Sequence, residues 1–228
     1  MTARLAFSMF ALLLLLVFAP RVGAQSDEAD RVRESAVVLD EIMKASDSAI
    51  PSSVLEKAEG LAVFPGTVRG GFIVGAERGR GILSVRDEKT RMWSPPAFLT
   101  ITGGSVGLQI GVRATDLILV IQNRRGLENL VRNEWKVGAG AAATAGPVGR
   151  DAQAATDIQL RAEILSYSRT RGLFAGVSLE GSTIRQDVDA NARFYGQKLT
   201  TREVVFDNKA KAPEATVPWF QALMKYVP

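Results

Sequence analysis

The chain contains no cysteine and no histidine among its 228 residues. Without cysteine there can be no disulfide and no lipid anchor attached to a cysteine, so the fold has to rest on its own hydrophobic core. The Ser-His-Asp and Cys-His nucleophile systems and the common zinc sites each lose a necessary member. For an enzyme there remain carboxylate, lysine or tyrosine chemistry, or a metal bound by oxygen ligands alone.

Strong charge is also absent, because 28 basic residues face 24 acidic ones, a net charge of +4. A predicted leader, residues 1–24, contains Arg4 and Arg21 and no acid, so its removal would leave 26 basic and 24 acidic residues. A nucleic-acid binder usually concentrates lysine and arginine on one face or along one helix. The composition therefore indicates no nucleic-acid partner, and no motif in it requires a cofactor.

The leader itself is predicted from the first residues of the chain. Arg4 precedes an apolar run from Leu5 to Ala19, and Pro20 follows it. The small residues of Val22-Gly23-Ala24 then place a signal-peptidase cut before Gln25. An uncleaved anchor is the less favoured alternative, because a spanning helix needs about 20 apolar residues. We therefore expect export, to the periplasm or envelope or into the medium.

Helices are predicted on both sides of a strand-rich centre. From Asp27 to about Ser48, apolar residues recur at spacings of four, three and four, typical of one helix face. The opposite face mixes acidic and basic residues, which favours packing against the core over contact with a membrane. Further helices are expected at Pro51–Glu59, Arg125–Val131 and Glu214–Tyr226, the last interrupted near its start by Pro218.

Strands are predicted between Gly60 and Gly181, a stretch that holds nineteen of the 21 glycines, interleaved with branched and aromatic residues. Alternating glycines are typical of close backbone approach, strong curvature or barrel closure. The expected strands are Leu61–Phe64, Gly71–Ala76, Gly81–Val85, Ala97–Thr102, Ser105–Val112, Asp116–Gln122, Glu134–Ala142, Leu160–Ser168 and Leu173–Glu180. The predicted fold is α+β: N-terminal helices, a strongly curved antiparallel sheet or partly closed barrel, and a C-terminal helix.

One segment formally fits a nucleotide-binding pattern. Gly138 to Ala143 reads G-x-G-x-x-A. A dinucleotide site needs this turn to open a long helix, whereas Gly146, Pro147 and Gly149 break the segment almost at once. We interpret it as a small-residue strand packed tightly against a neighbour.

Basic residues form three local pairs near predicted strand ends: Arg78 with Arg80, Arg124 with Arg125, and Arg169 with Arg171. If these ends lie together, the guanidinium groups would form a cationic rim suited to phosphate. Arginine at strand ends is also ordinary solubilising surface, and that alternative remains open. Trp93 and Trp135 suit either a lipid interface or the core.

The best acidic pair is Asp187 with Asp189. These carboxylates are the best candidates for a hydrolase. The favoured interpretation is that one of them caps the short helix that follows, since aspartate is a preferred N-cap residue.

Four ordered segments carry a family resemblance: KAEGLAVFP from Lys57, GFIVGAERGRGIL from Gly71, WSPPAFLTITGGSVGLQIG from Trp93, and ILSYSRTRGLFAGVSLEGS from Ile164. Together with ARFYG from Ala192, they resemble the SYLF lipid-binding domain. The resemblance covers about residues 54–199. It divides the chain into a leader (1–24), an N-terminal helical segment (25–53), the SYLF-like domain (54–199) and a C-terminal tail with a closing helix (200–228).

The resemblance implies a phospholipid-binding module that is actin-associated in its eukaryotic members and is not an enzyme. An exported protein would meet no actin, so we carry over lipid binding and leave actin out. The favoured hypothesis is an envelope protein that touches phospholipid through the arginine rim and apolar loop residues such as Trp93 and Phe98. The alternatives are an envelope structural or protein-interaction module and, less favoured, a hydrolase using Asp187 and Asp189.

Overall fold

The computed structural model of the chain describes residues 22–45, 50–71, 74–106, 111–138, 143–148, 162–170 and 173–227. In these ranges helices flank a strongly curved half-barrel sheet, which confirms the predicted α+β class. The helices are α1 (Val22–Lys44), α2 (Ser52–Glu56), α3 (Arg124–Leu130), α4 (Val188–Tyr195), α5 (Thr201–Val205) and α6 (Val217–Tyr226). The strands are β1 (Gly60–Gly71), β2 (Val74–Val85), β3 (Ala97–Val106), β4 (Gly111–Ile121), β5 (Glu134–Lys136), β6 (Ala143–Ala145), β7 (Ile164–Thr170), β8 (Leu173–Gly176) and β9 (Ser182–Gln186).

The described strands form one sheet in the order β5-β9-β3-β2-β1-β4-β7-β6, with β8 paired on β7. Every pair is antiparallel except β6 with β7, which is parallel. β3 and β4 follow each other in the chain but lie on opposite sides of the β1–β2 hairpin.

A bulge bends β1 at Pro65 and Gly66, where the pairing with both neighbours shifts register. Proline lacks a backbone donor and is tolerated in a sheet at such a bulge. Gly66 has a φ of +54°, a left-handed conformation that favours glycine. Its N–H donates to the Asp116 carboxylate at 2.9 Å, which fixes the bulge to β4. The bulge opens the sheet surface beneath α1.

Both faces of the proximal part of the sheet are buried, so the molecule has two hydrophobic layers. One layer lies under α1, α4 and α6, and its largest buried side chains include Tyr167, Phe98 and Trp219. The indole N–H of Trp219 donates to Ser84 Oγ at 2.9 Å inside this layer. The other layer lies under α3, α5 and β5, around Phe64 and Leu119. Burial on both faces explains why the strand patterns are nearly continuous in apolar residues.

Helix α1 packs on the sheet and on α6 through its apolar face. Val32, Leu39 and Ile42 have no exposed surface. The prediction that this face belongs to the core is therefore confirmed. In α6, Pro218 lies in the first turn, where a missing N–H is tolerated, so it begins the helix rather than interrupting it.

Some predicted strands differ from the observed ones. The segments Gly71–Ala76 and Gly81–Val85 are parts of the single β1–β2 hairpin, and the predicted strand Ser105–Val112 spans the end of β3 and the start of β4. Of Glu134–Ala142 only the first three residues form a strand, and residues 139–142 lie outside the described part. Strand β9 was not predicted. Ala143, the last residue of the G-x-G-x-x-A pattern, begins a strand, and a dinucleotide site would need a helix there.

Candidate functional site

Three pairs of consecutive strands have their joined ends at the same end of the sheet, which we call the distal end. The register places Gly71 opposite Gly75 and Gly111, Val74 opposite Val106, and Thr170 opposite Leu173. β1, β3 and β7 therefore end, and β2, β4 and β8 begin, towards this end of the sheet. The proximal end lies where β1 begins at Gly60, opposite Val85 and Ile121.

Arg78 and Arg80 lie in the middle of β2, with Arg78 nearer the distal end, and both are exposed. They line a cleft of about 950 Å³ between α1 and the bulge of β1. A smaller cleft of about 390 Å³, also lined by Pro65 and Gly66, continues along α1. Across the larger cleft α1 presents the carboxylates of Asp27, Asp30 and Glu34. The cleft is thus lined by both signs of charge, with the exposed arginines on the strand side.

Exposed apolar side chains accompany these arginines. Val68, opposite Arg78 on β1, is 47% exposed, and Leu173 at the start of β8 is 80% exposed. Arg113 on β4, opposite Arg69, is also exposed at this end, but on the other face of the sheet from Val68 and Arg78. We call Val68, Arg78, Arg80, Arg113 and Leu173 the distal rim. Sequence reasoning missed Arg113 because a single arginine within a strand pattern gives no signal of its own.

Arg169 lies at the distal end but is already paired. Its guanidinium donates to Asp116 at 2.7 and 2.9 Å and contacts Glu41 of α1 at 2.5 Å. Burial by itself would lower the pKa of Arg169, but the hydrogen bonds and charges of Asp116 and Glu41 raise it. Arg169 therefore connects β4, β7 and α1. Arg171 lies outside the described residues.

Arg124 and Arg125 are not near the other pairs, because they begin α3 at the proximal end. Arg124 pairs with Glu128 at 2.9 Å and lies over the Phe206 ring, 4.2 Å from its centroid. Arg125 pairs with Glu163 at 3.0 Å. The structure thus places Arg78, Arg80 and Arg169 in the central and distal part of the sheet and leaves Arg124 and Arg125 at the proximal end.

The aromatic candidates Trp93, Phe98 and Trp135 do not form one exposed surface either. Phe98 is in β3 and fully buried, so its assignment to a loop is corrected: it packs edge-to-face on Phe194 with centroids 5.0 Å apart. Trp93 is half-buried at the proximal end, where its indole N–H donates to the carbonyl of Val227 at 3.2 Å. Trp135, the third candidate ring, is buried in β5.

Buried charges connect α1 to the start of α4. Glu28, only 1% exposed, accepts two hydrogen bonds from Arg193 at 2.7 and 3.1 Å. Arg31, 6% exposed, contacts Asp187 at 3.7 Å and lies 5.2 Å from the centroid of Phe98. Burial and the neighbouring charge of Arg80 lower the pKa of Arg31, while Asp187 opposes this. Sequence spacing gave no signal for this cluster because its partners are over 150 residues apart.

Asp187 has the structural role that its position predicts. Its carboxylate accepts the N–H of Ala190 at 3.0 Å and caps α4. Asp189 lies exposed in the first turn of the same helix. Within the described residues no group of three or more acidic side chains is placed to hold a metal ion. The geometry around Asp187 therefore accounts for it without a catalytic role.

A family model agrees with the sequence motifs. The model described as "Ysc84: Las17-binding protein actin regulator" matches residues 102–226, more than half of the chain. The chain belongs to the Ysc84, or SYLF, family. The matched region runs from β3 through α6 and so includes most of the sheet and the closing helix.

Individual relatives extend the similarity towards the N-terminus. LAS seventeen-binding protein 3 of Saccharomyces cerevisiae is 30% identical over 203 residues, 88% of this chain and 43% of the yeast protein. SH3 domain-containing YSC84-like protein 1 is 33% identical over 190 residues in Xenopus laevis, 80% of this chain and 56% of that protein. The Homo sapiens protein of the same name is 32% identical over 170 residues, 74% and 49% respectively.

The chain spans about half the length of the curated relatives it matches. The activities and partners of those whole proteins therefore do not transfer directly to this chain. In the part of the chain that the structure describes, no helix combines the length and apolar character needed to cross a bilayer.

Proposed function

We propose that this family member is an exported phospholipid-binding module of the cell envelope and acts without catalysis. The observation that supports this most is within the distal rim, where the exposed apolar side chain of Val68 lies directly opposite the exposed Arg78 on the neighbouring strand. Arginine binds phosphate, and apolar side chains enter the boundary between headgroups and acyl chains. The predicted leader supports the proposed location.

The acidic residues of α1 limit how strong this binding can be. Asp27, Asp30 and Glu34 face Arg78 and Arg80 across the cleft. A basic residue near an anionic bilayer contributes about 1 kcal/mol, and facing acids reduce that value. We therefore expect modest affinity that weakens with salt, because exposed charges are screened within about 10 Å at 0.1 M ionic strength.

Vesicle co-sedimentation tests the proposal. Protein from Gln25 onward is mixed with neutral or anionic phospholipid vesicles at low and high salt. We expect binding to anionic vesicles, and we expect the double variant Arg78→Ser with Arg80→Ser to weaken it about tenfold. The two arginines together would contribute about 1.4 kcal/mol to binding once the facing acids of α1 have reduced the value of each. The matched control is Arg125→Ser with Arg132→Ser, which removes the same charge from exposed positions away from the distal rim.

The outcomes separate the hypotheses. An equal loss in both double variants would mean that binding follows net charge and not the rim. Absence of binding to any vesicle would overturn lipid binding and favour the second candidate, a protein-interaction module. That candidate is supported by the names of the family and its yeast relative, which describe Las17-binding proteins. Actin itself is not part of the proposal, because the predicted export would separate the protein from it.

A further inference from the structure

A third cavity, of about 690 Å³, lies at the proximal end of the sheet, away from the distal rim. Its walls come from the end of β2, the loop 87–95, the start of α3, the segment after α5, and Phe220 of α6. We call it the Arg86 pocket. Its volume falls within the range typical of small-molecule sites.

Arg86, which follows β2, is the unusual feature of this pocket. The residue is only 4% exposed, and its backbone N–H donates to the carbonyl of Glu59 at 2.8 Å. Its guanidinium lies 5.6 Å from the centroid of the Trp93 ring. Nε and Nη1 are buried without a hydrogen-bond partner, and no ion pair among the described residues includes Arg86. Burial accordingly lowers the pKa of this group.

The acidic residues in the pocket wall do not neutralise Arg86. The Asp87 carboxylate is engaged in its own turn, where Oδ1 accepts the N–H groups of Lys89 at 3.0 Å and Thr90 at 2.7 Å. Burial and the charge of Glu88 raise the pKa of Glu59, which favours its neutral form. Glu59 Oε2 is likewise buried without a partner. A buried cation left in this state costs stability unless an anion joins it.

The remaining wall combines apolar surface with further positive charge. Trp93, Leu127, Phe206 and Phe220 supply the apolar part. Arg124, which lies over the Phe206 ring, and Lys89 also line the pocket. A ligand that satisfies all of these groups has an anionic oxygen headgroup and a short apolar body.

We propose that the Arg86 pocket binds a small amphiphile through its phosphate or carboxylate oxygens, with Arg86 donating to the anion and the aromatic wall covering the apolar body. The site is separate from the distal rim and does not depend on vesicle binding. Sequence reasoning missed it because Arg86 follows an ordinary strand pattern, and its burial depends on the loop that returns Trp93 to it.

Isothermal titration calorimetry with three probes tests this inference. Octyl phosphate carries both features, inorganic phosphate carries only the anion, and octanol carries only the apolar body, all used below the critical micelle concentration of octyl phosphate. We expect octyl phosphate to bind the unmodified chain more tightly than either other probe. Arg86→Met should weaken it about 30-fold, since hydrogen bonds to a charged group are lost. Arg132→Met, at an exposed position outside the pocket, should leave binding unchanged.

The unfolding midpoint of Arg86→Met distinguishes a ligand-binding role for Arg86 from a purely structural one. Replacing an unpaired buried charge by an apolar side chain should leave the unliganded midpoint equal or higher, while abolishing the upward shift that octyl phosphate causes. If Arg86→Met does not fold, Arg86→Lys takes its place in the titration. Lysine keeps the charge but lacks Nε and the planar guanidinium group.

Unchanged binding of octyl phosphate to these Arg86 variants would overturn the proposal. Equal affinity for inorganic and octyl phosphate would overturn the amphiphile and leave a free anion as the ligand. Failure of every probe to bind would also overturn it.

Discussion

At the residue scale, the Glu203 carboxylate at the start of α5 makes a testable contribution to acid stability. It accepts hydrogen bonds from Lys209 Nζ at 2.8 Å and from the N–H and hydroxyl of Thr200 at 3.0 and 2.9 Å, completing a capping box. These bonds lower the pKa of Glu203 from the ordinary 4.5 to about 2. A lowered carboxyl pKa stabilises the fold above pH 4.5, and the contribution is lost as the pH falls from 4.5 towards 2.

We therefore expect Glu203→Gln to be less stable than the unmodified chain at pH 7 and to lose less stability between pH 4.5 and pH 2. Urea unfolding at several pH values measures both effects. Glu180→Gln, at an exposed position, should follow the unmodified chain. A Glu203→Gln curve parallel to that of the unmodified chain over this window would show that the carboxylate is not titrating as described.

At the element scale, the glycines of the sheet allow close packing between neighbouring strands. A Cβ added at Gly81 would lie 2.4 Å from the carbonyl oxygen of Val63 and 2.5 Å from the Phe64 ring. A backbone oxygen and a buried ring at these distances leave little room to adjust. We expect Gly81→Ala to lower the free energy of unfolding by about 1–3 kcal/mol, the usual cost of overpacking a core.

Gly138→Ala provides the matched control, because nothing lies within 4 Å of a Cβ added there. Chemical denaturation of both variants measures the difference. If Gly81→Ala were as stable as Gly138→Ala, the strands would not approach each other as closely as described, and the glycines would need another explanation.

The same elements show how far sequence reasoning reaches. The apolar face of α1, the strand-rich centre and the cap at Asp187 follow from local periodicity and capping chemistry, and all three are present. Strand order does not follow from local pattern, because β3 and β4 separate around a hairpin and β9 pairs with distant β3 and β5. The pairing of Arg169 with Asp116 and the burial of Arg86 depend on that order. The sequence could therefore identify the arginines as candidates but could not predict which of them are free, paired or buried.

At the scale of the whole molecule, the protein could bind a membrane with its fold unchanged, or α1 could leave the sheet and insert into the bilayer. In α1, Val32, Leu39 and Ile42 are fully buried, and ion pairs join Glu28 to Arg193 and Glu41 to Arg169. Insertion of α1 into a bilayer would expose the sheet layer beneath it. That layer holds some of the largest buried side chains, and full burial of each is worth about 1.5–3 kcal/mol. Docking through the distal rim exposes none of it.

Hydrogen–deuterium exchange with and without anionic vesicles separates these two modes. We expect amides in residues 30–44 of α1 to stay about as protected as those of β1 and β4 in both conditions, because opening α1 costs much of the global stability. Protection should increase only near the distal rim, around Arg78 and Leu173. Loss of protection along α1 upon vesicle binding would instead mean that the helix leaves the sheet and inserts. In that case the apolar face of α1, and not the rim, would be the membrane-binding surface.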